Sequence, residues 1–216
     1  MSNQIYVWDR FVRIFHWSLV LLFITSYISG EQEHWIHSYS GYAIIILVLL
    51  RFVWGFIGTK YAQFRNFVKS PTKTVSYVKS IAAGSSERYL GHNPAGGMMI
   101  ITLLLFLLLT TVSGMKLYAI EEGKGPFAQE WIASSENIDN KKSYEHEESK
   151  YSKQDDYDDD DEEHEAEEFW EEIHETSINI MILLILLHVI GVVISSHHHN
   201  ELLVKSMFTG YKKDDN

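Results

Sequence analysis

The chain alternates long apolar runs with shorter polar stretches. Four runs have close to the length that the apolar core of a bilayer requires, about 20 residues of helix. They cover roughly residues 14–30, 36–58, 96–119 and 175–196. We therefore predict an all-α integral membrane protein, a bundle of four transmembrane helices.

The first run resembles a signal peptide in one respect, because Arg10 and Arg13 precede it. It contains His16 and Trp17, however, and no small-residue cleavage pattern follows it. We expect this run to remain in the protein as the first helix.

The distribution of charged residues distinguishes the two membrane sides of the predicted bundle. The linker at about 59–95 carries six Lys and Arg residues against the single acid Glu87. Because loops rich in Lys and Arg stay on the cytoplasmic side, this linker and both termini are predicted to be cytoplasmic. Within the linker, residues 72–83 predict a short amphipathic helix on the membrane surface.

Most of the acidic residues lie between the third and fourth runs. The chain has 29 Asp and Glu against 18 Lys and Arg, a net charge of -11, and nucleic-acid binding is therefore not expected. Residues 120–173 form an acidic external loop whose first part has the composition of a disordered segment. From Glu162 the pattern is compatible with a helix that extends the fourth span outward. His146 and His164 in this loop are predicted to be solvated rather than to bind a metal.

These patterns define three regions of the chain. Residues 1–119 hold the first three helices and the basic linker, and residues 120–173 hold the acidic loop with its helical end. Residues 174–216 hold the fourth helix and a cytoplasmic tail.

The membrane histidines form two pairs. His174 and His188 are fourteen residues apart on the fourth helix, almost four turns, so both imidazoles lie on one face and about 21 Å apart. His16 and His37, on the first and second helices, fall at matching depths. Depth pairs His37 with His174 near the external surface, and His16 with His188 in the cytoplasmic half. Two stacked haems require this arrangement of axial ligands.

Three glycines lie where a porphyrin ring needs room beside a helix: Gly30, Gly41 and Gly55. The first follows His16 by fourteen residues, the second follows His37 by one turn, and the third lies fourteen residues further on. Ordinary packing between helices through small residues is the alternative for each.

Other residues near these positions have predicted roles. Arg51 lies fourteen residues after His37, faces the same cleft and is predicted to pair with haem propionates. His34 competes with His37 as a ligand, although Gly41 favours His37. His92 is predicted to be a polar turn residue, with a quinone site left open.

The chain has no cysteine. This excludes disulfides, iron–sulfur ligation and the covalent attachment of a c-type haem. Any haem must be bound noncovalently, as haem b.

Six stretches share a pattern with known proteins: Val7–Trp17, His37 with Gly41, Arg51–Gly58, Leu90–Gly97, His174–Glu175 and Leu187–His188. Together they resemble the bacterial cytochrome b561 family, which includes the b-type cytochrome subunits of nickel–iron hydrogenases. The resemblance implies a bacterial inner-membrane protein with two haems b on His16, His37, His174 and His188. It also implies electron transfer between the quinone pool and a partner protein, by an electron-transfer protein or oxidoreductase subunit rather than a stand-alone enzyme.

The identity of the partner is left open at this point. A periplasmic redox protein such as a cytochrome c or an oxidoreductase subunit is expected, and an oligomer is possible. The acidic loop either steers a basic partner or serves as a solvated spacer. One alternative is the membrane anchor subunit of a nickel–iron hydrogenase or of another periplasmic oxidoreductase.

Two hypotheses do without haem. A divalent-cation transporter would explain the histidines and the acidic loop, but no Asp or Glu lies at the midplane of the four helices. A structural anchor without a cofactor leaves the spacing of the histidines and glycines unexplained.

Overall fold

The structure, a computed structural model, describes residues 4–30, 35–129, 133 and 158–213, with side chains of the last range described from His164 onward. Its elements are β1 (Gln4–Tyr6), α1 (Arg10–Ser29), α2 (Trp35–Ile57), α3 (Phe64–Phe67), α4 (Pro71–Ala82), α5 (Pro94–Glu122), α6 (Asp158–His198), α7 (Leu203–Thr209) and β2 (Tyr211–Lys213). The predictions for His34, His146 and the acidic segment 134–157 lie outside the described residues.

Four of these helices are long and apolar enough to cross a membrane: Arg10–Ser29, Trp35–Ile57, Pro94–Glu122 and His164–His198. The four predicted spans are therefore confirmed. The last belongs to the longer helix α6, which begins at Asp158, so the fourth helix extends beyond its span, and the external position of this extension remains a prediction. α5 begins at Pro94, a residue suited to a first helical position because it has no N–H to leave unpaired.

The chain divides into two compact parts. The larger comprises Met1–Leu108 with Ile180–Asn216, and the smaller comprises Leu109–Asn179. The core of the larger part is a cluster of apolar side chains from α1, α2, α5 and α6: Phe15, Ile44, Val48, Leu104, Leu107 and Met181. Many other apolar side chains of these helices are exposed, as expected for helices that contact lipid.

Asp9 joins the start of α1 to the end of α2. Its Oδ1 accepts a hydrogen bond of 2.9 Å from the backbone N–H of Val12, the N-cap interaction of α1. Its Oδ2 accepts from Trp54 Nε1 at 3.1 Å and from Thr59 Oγ1 at 2.6 Å. Both oxygens of the buried carboxylate are thus hydrogen-bonded by these three donors.

The two ends of the described chain pair with each other. β1 and β2 form an antiparallel two-stranded sheet in which Gln4 is opposite Lys213 and Tyr6 is opposite Tyr211. Gly210, just before β2, has a φ of 89°, and a Cβ there would lie 2.8 Å from the carbonyl oxygen of Trp8. Only glycine suits this turn. Both terminal segments therefore lie next to each other, and their cytoplasmic position remains a prediction.

A buried carboxylate reinforces this end. Glu201 lies 2.6 Å from Arg88 and 2.7 Å from Lys212. We call the β1–β2 sheet together with these ion pairs the terminal clasp.

The basic linker contains the predicted short helix. α4 begins with Pro71 after the N-cap Ser70. Its Tyr77 is buried, whereas Val75 and Val78 are exposed. The helix is confirmed, and contact of its exposed valines with the membrane surface remains a prediction.

Candidate haem sites

The four candidate ligands lie on three helices. His16 is on α1, His37 is on α2, and His174 and His188 are both on α6. His16 and His188, both in the larger compact part, lie close enough for their charges to interact. His37 belongs to the larger part and His174 to the smaller, and their pairing remains a prediction from the sequence.

His37 rests against the end of α1. Its Nδ1 lies 2.9 Å from the carbonyl oxygen of Ser26 and 3.4 Å from the Ser26 hydroxyl. The hydroxyl of Ser29 donates to the same carbonyl oxygen at 3.2 Å. A Cβ on Gly30 would lie 3.4 Å from the His37 Nδ1. The room predicted at Gly30 is therefore next to the imidazole of His37.

His174 has the same kind of environment on α5. Its Nδ1 lies 2.9 Å from the carbonyl oxygen of Thr110 and 3.1 Å from the hydroxyl of Ser113. The Ser113 hydroxyl donates to the Thr110 carbonyl oxygen at 3.0 Å. A Cβ on Gly114 would approach the His174 Cε1 to 2.8 Å, so this position requires glycine while the ring stays where it is.

These contacts define the chemical state of both imidazoles. A carbonyl oxygen can only accept a hydrogen bond, so Nδ1 of His37 and of His174 must donate its proton. In the neutral ring, Nε2 then carries the lone pair. Histidines that bind a metal commonly have this arrangement, with the second nitrogen donating to a carbonyl group. The two side chains are therefore suited to bind iron through Nε2.

Two buried polar atoms, one on His16 and one on Arg51, are suited to contact a bound cofactor. Among the described residues, the His16 Nδ1 and the Arg51 Nη1 are buried without a hydrogen-bond partner. Arg51 uses its other terminal nitrogen to donate to the Ala62 carbonyl at 3.1 Å, and its guanidinium lies 5.1 Å from the centre of the Phe64 ring. A buried cation with an unused donor suits an anionic group such as a haem propionate.

Gly41 and Gly55 differ in the space available beside them. Within the part of the chain that the structure describes, no neighbouring atom lies within 4 Å of a Cβ built on Gly41, so the surface of α2 is open there, as a porphyrin would require. A Cβ on Gly55 would collide with the Phe64 ring. The space beside Gly55 is thus filled by the protein itself and is not open for a porphyrin.

His92, predicted to be a polar turn residue, packs against two aromatic rings. Its ring lies between Trp8 and Phe67, with ring centres 4.5 and 4.7 Å away. Burial, followed by the positive charges of Arg51 and Lys212, lowers the pKa of His92 to about 3. The imidazole is therefore neutral at physiological pH.

His164, the described histidine of the acidic region, is exposed and lies 3.8 Å from Glu167. Within the described ranges, no three His, Asp or Glu residues come together in a way that could hold a metal ion.

Sequence reasoning missed the residues that hold His37 and His174. The signal was present as a repeated sequence pattern. Residues 26–30 are Ser-Tyr-Ile-Ser-Gly, and residues 110–114 are Thr-Thr-Val-Ser-Gly. We call these two segments the histidine seats. They were missed because small hydroxyl residues and glycine are common in membrane helices for packing reasons alone.

The profile of the prokaryotic cytochrome b561 family matches residues 7–210 of the chain. The chain belongs to this family. The cytochrome is similar to two curated relatives, each named "Probable Ni/Fe-hydrogenase B-type cytochrome subunit". The one from Bradyrhizobium diazoefficiens is 25% identical over 151 residues, covering 56% of this chain and 60% of the relative. The one from Rhizobium leguminosarum bv. viciae is 26% identical over 152 residues, covering 57% and 62%.

The chain thus spans about three fifths of the length of these relatives. No solved structure gives a significant match.

Family membership confirms several predictions together. The protein is a multi-pass, helical membrane cytochrome of the b type, and its family implies haem b as the cofactor. The cation transporter and the cofactor-free anchor are therefore set aside.

Proposed function

We propose that this cytochrome binds two haems b and passes electrons across the bacterial inner membrane between the quinone pool and a partner redox protein. The axial ligands in this proposal are His37 with His174 and His16 with His188. When bound, haem b supplies an iron that alternates between the ferrous and ferric states.

The observation that carries the proposal is that His37 and His174 make the same kind of hydrogen bond through Nδ1. Each Nδ1 donates to a backbone carbonyl at 2.9 Å, so each ring offers Nε2 to a metal. A histidine present only for helix packing has no need of this arrangement in two separate places. The proximity of His16 and His188 supports the second pair.

Other residues of the chain complete the proposed sites. Arg51 offers its buried Nη1 to a propionate, and the open surface at Gly41 admits a ring. Gly30 gives room to the His37 imidazole, and Gly55 acts indirectly by seating Phe64 beside Arg51.

Partner and orientation are further parts of the proposal. The names of the two relatives support an oxidoreductase as the partner, with a cytochrome c as the alternative. The basic linker supports a cytoplasmic position for residues 59–95 and for the terminal clasp. Quinone is proposed because a membrane cytochrome needs a lipid-soluble redox partner.

Haem stoichiometry in the purified full chain tests this proposal. We expect reduced-minus-oxidised spectra with b-type bands and two haems per chain by the pyridine haemochrome assay. His174→Ala and His16→Ala should each lower the haem content, whereas His164→Ala, a change at an exposed histidine, should leave it at two. One haem per chain in the unaltered protein, or two in both ligand variants, would falsify the assignment.

A further inference from the structure

The two histidine seats share one design. In each, a hydroxyl residue at the first position supplies its backbone carbonyl, the hydroxyl of a serine three residues later lies within hydrogen-bond distance of that carbonyl, and a glycine follows. In the first seat, the shorter hydrogen bond of the Ser29 hydroxyl goes to the Thr25 carbonyl oxygen, at 2.8 Å. The glycine stands beside the imidazole, with a built Cβ 3.4 Å from the ring of His37 and 2.8 Å from that of His174.

The helix segments that begin at His37 and His174 also make the same hydrogen bond. The Ser40 hydroxyl donates to the His37 carbonyl at 2.8 Å, and the Ser177 hydroxyl donates to the His174 carbonyl at 2.8 Å. Both histidines therefore begin a His-x-x-Ser segment. The same seat and the same incoming segment occur once in α1 with α2 and once in α5 with α6.

From this repeat we infer that the seats are a positioning device, used twice, that holds each imidazole with Nδ1–H donating to a helix carbonyl and thereby strengthens it as an iron ligand. The inference rests on the proposed haem ligation by His37 and His174. The positioning residues are Ser26, Ser29 and Gly30 in the first seat, and Thr110, Ser113 and Gly114 in the second.

The physical consequence is a lower reduction potential. A hydrogen bond from Nδ1–H to an acceptor raises the basicity of the imidazole, and a more basic ligand stabilises ferric over ferrous iron. Weakening a seat should therefore raise the potential of the haem that its histidine binds.

The second seat offers the sharper test, because Ser113 and Gly114 act on the ring in different ways. Ser113→Ala removes an acceptor 3.1 Å from the His174 Nδ1 and leaves the backbone carbonyl in place. Gly114→Ala places a methyl group against the His174 ring and forces the imidazole to move. Val75→Ala is the control, because this exposed side chain lies on α4, outside the four candidate membrane spans.

The experiment uses the purified full chain with its haems, measured by haem content, redox titration and electron paramagnetic resonance of the ferric haems. We expect Ser113→Ala to keep both haems and to raise one of the two potentials. Gly114→Ala should change the resonance of the same haem, or lose that haem, and Val75→Ala should match the unaltered protein. Gly30→Ala should have a smaller effect than Gly114→Ala, because its contact is longer.

The failures of the two proposals are distinguishable. If Ser113→Ala and Gly114→Ala retain both haems with unchanged potentials and resonances, the seat inference is overturned and the ligand assignment stands. If His174→Ala retains both haems, the ligand assignment is overturned and the seat inference falls with it.

Discussion

The carboxylate of Glu201 lies 2.7 Å from the ammonium group of Lys212, and both side chains are almost fully buried, with 8% and 4% of their surfaces exposed. Removing one charge of such a pair leaves the other buried without a counterion, which costs about 3–5 kcal/mol. We predict that Glu201→Gln lowers the thermal unfolding midpoint of the detergent-purified protein strongly at neutral pH. Glu122→Gln is the control, because its ion pair with Lys124 is exposed and should leave the midpoint almost unchanged.

The effect of Glu201→Gln should depend on pH. Burial alone raises the pKa of Glu201, but hydrogen bonds and charges from Lys212 and Arg88 outweigh it and lower that pKa below 4.5. The carboxylate therefore contributes stability above pH 4.5, and this contribution disappears as pH falls through the lowered pKa of the folded protein. The difference in midpoint between the unaltered protein and Glu201→Gln should shrink in that acid range. A constant difference down to pH 3 would contradict this prediction.

Gly41→Ala tests the open surface of α2. The added methyl group meets no protein atom within 4 Å, so the fold should tolerate it, and alanine even favours the helix over glycine. If a porphyrin lies over this surface, haem content measured against protein should fall. Val75→Ala, at an exposed position of α4 outside the candidate spans, should retain full haem. Equal haem content in both variants would remove Gly41 from the proposed site.

Arg51 should raise the potential of the haem that it contacts, because a positive charge favours the ferrous state. We predict that Arg51→Gln lowers that potential by something on the order of 60 mV, which for one electron is a tenfold change in the equilibrium constant. Arg51→Lys keeps the charge and should shift the potential less. Redox titration of both variants, with haem content as the control, makes the comparison. Equal shifts in the two variants would show that the charge is not responsible.

The acidic residues that precede α6 and form its first turn should act through long-range attraction if they steer a basic partner. The rate at which the cytochrome reduces a basic soluble cytochrome c should then fall steeply as ionic strength rises, because salt screens exposed charges. A variant with Asp158–Asp161 changed to Asn should be slower at low salt and equal at high salt. A flat salt profile in the unaltered protein would instead favour the solvated spacer.

The helices could be predicted from the sequence because their signal is local. Each span is a continuous apolar run, and Pro94 and Pro71 mark helix starts by their own backbone chemistry. The spacing of fourteen between His174 and His188 follows from helix geometry in the same way.

The partners of the candidate site could not be predicted, because they depend on which segments pack together. Phe64 fills the space at Gly55, yet it lies in the four-residue helix α3, where no periodic pattern indicates the direction of a side chain. His92 was missed for a similar reason, since the rings of Trp8 and Phe67 that cover it come from distant parts of the chain. The carbonyl acceptors of Ser26 and Thr110 are backbone atoms, which residue identity does not reveal.

The terminal clasp also has a consequence for synthesis. The ribosome makes β1 before the four spans and β2 after them, since synthesis proceeds from the N-terminal end. Residues 4–6 therefore have no strand partner until all four spans have been translated. Closure of the sheet can occur only after the last helix has left the ribosome, so a chain arrested before Tyr211 would be released with its first strand unpaired.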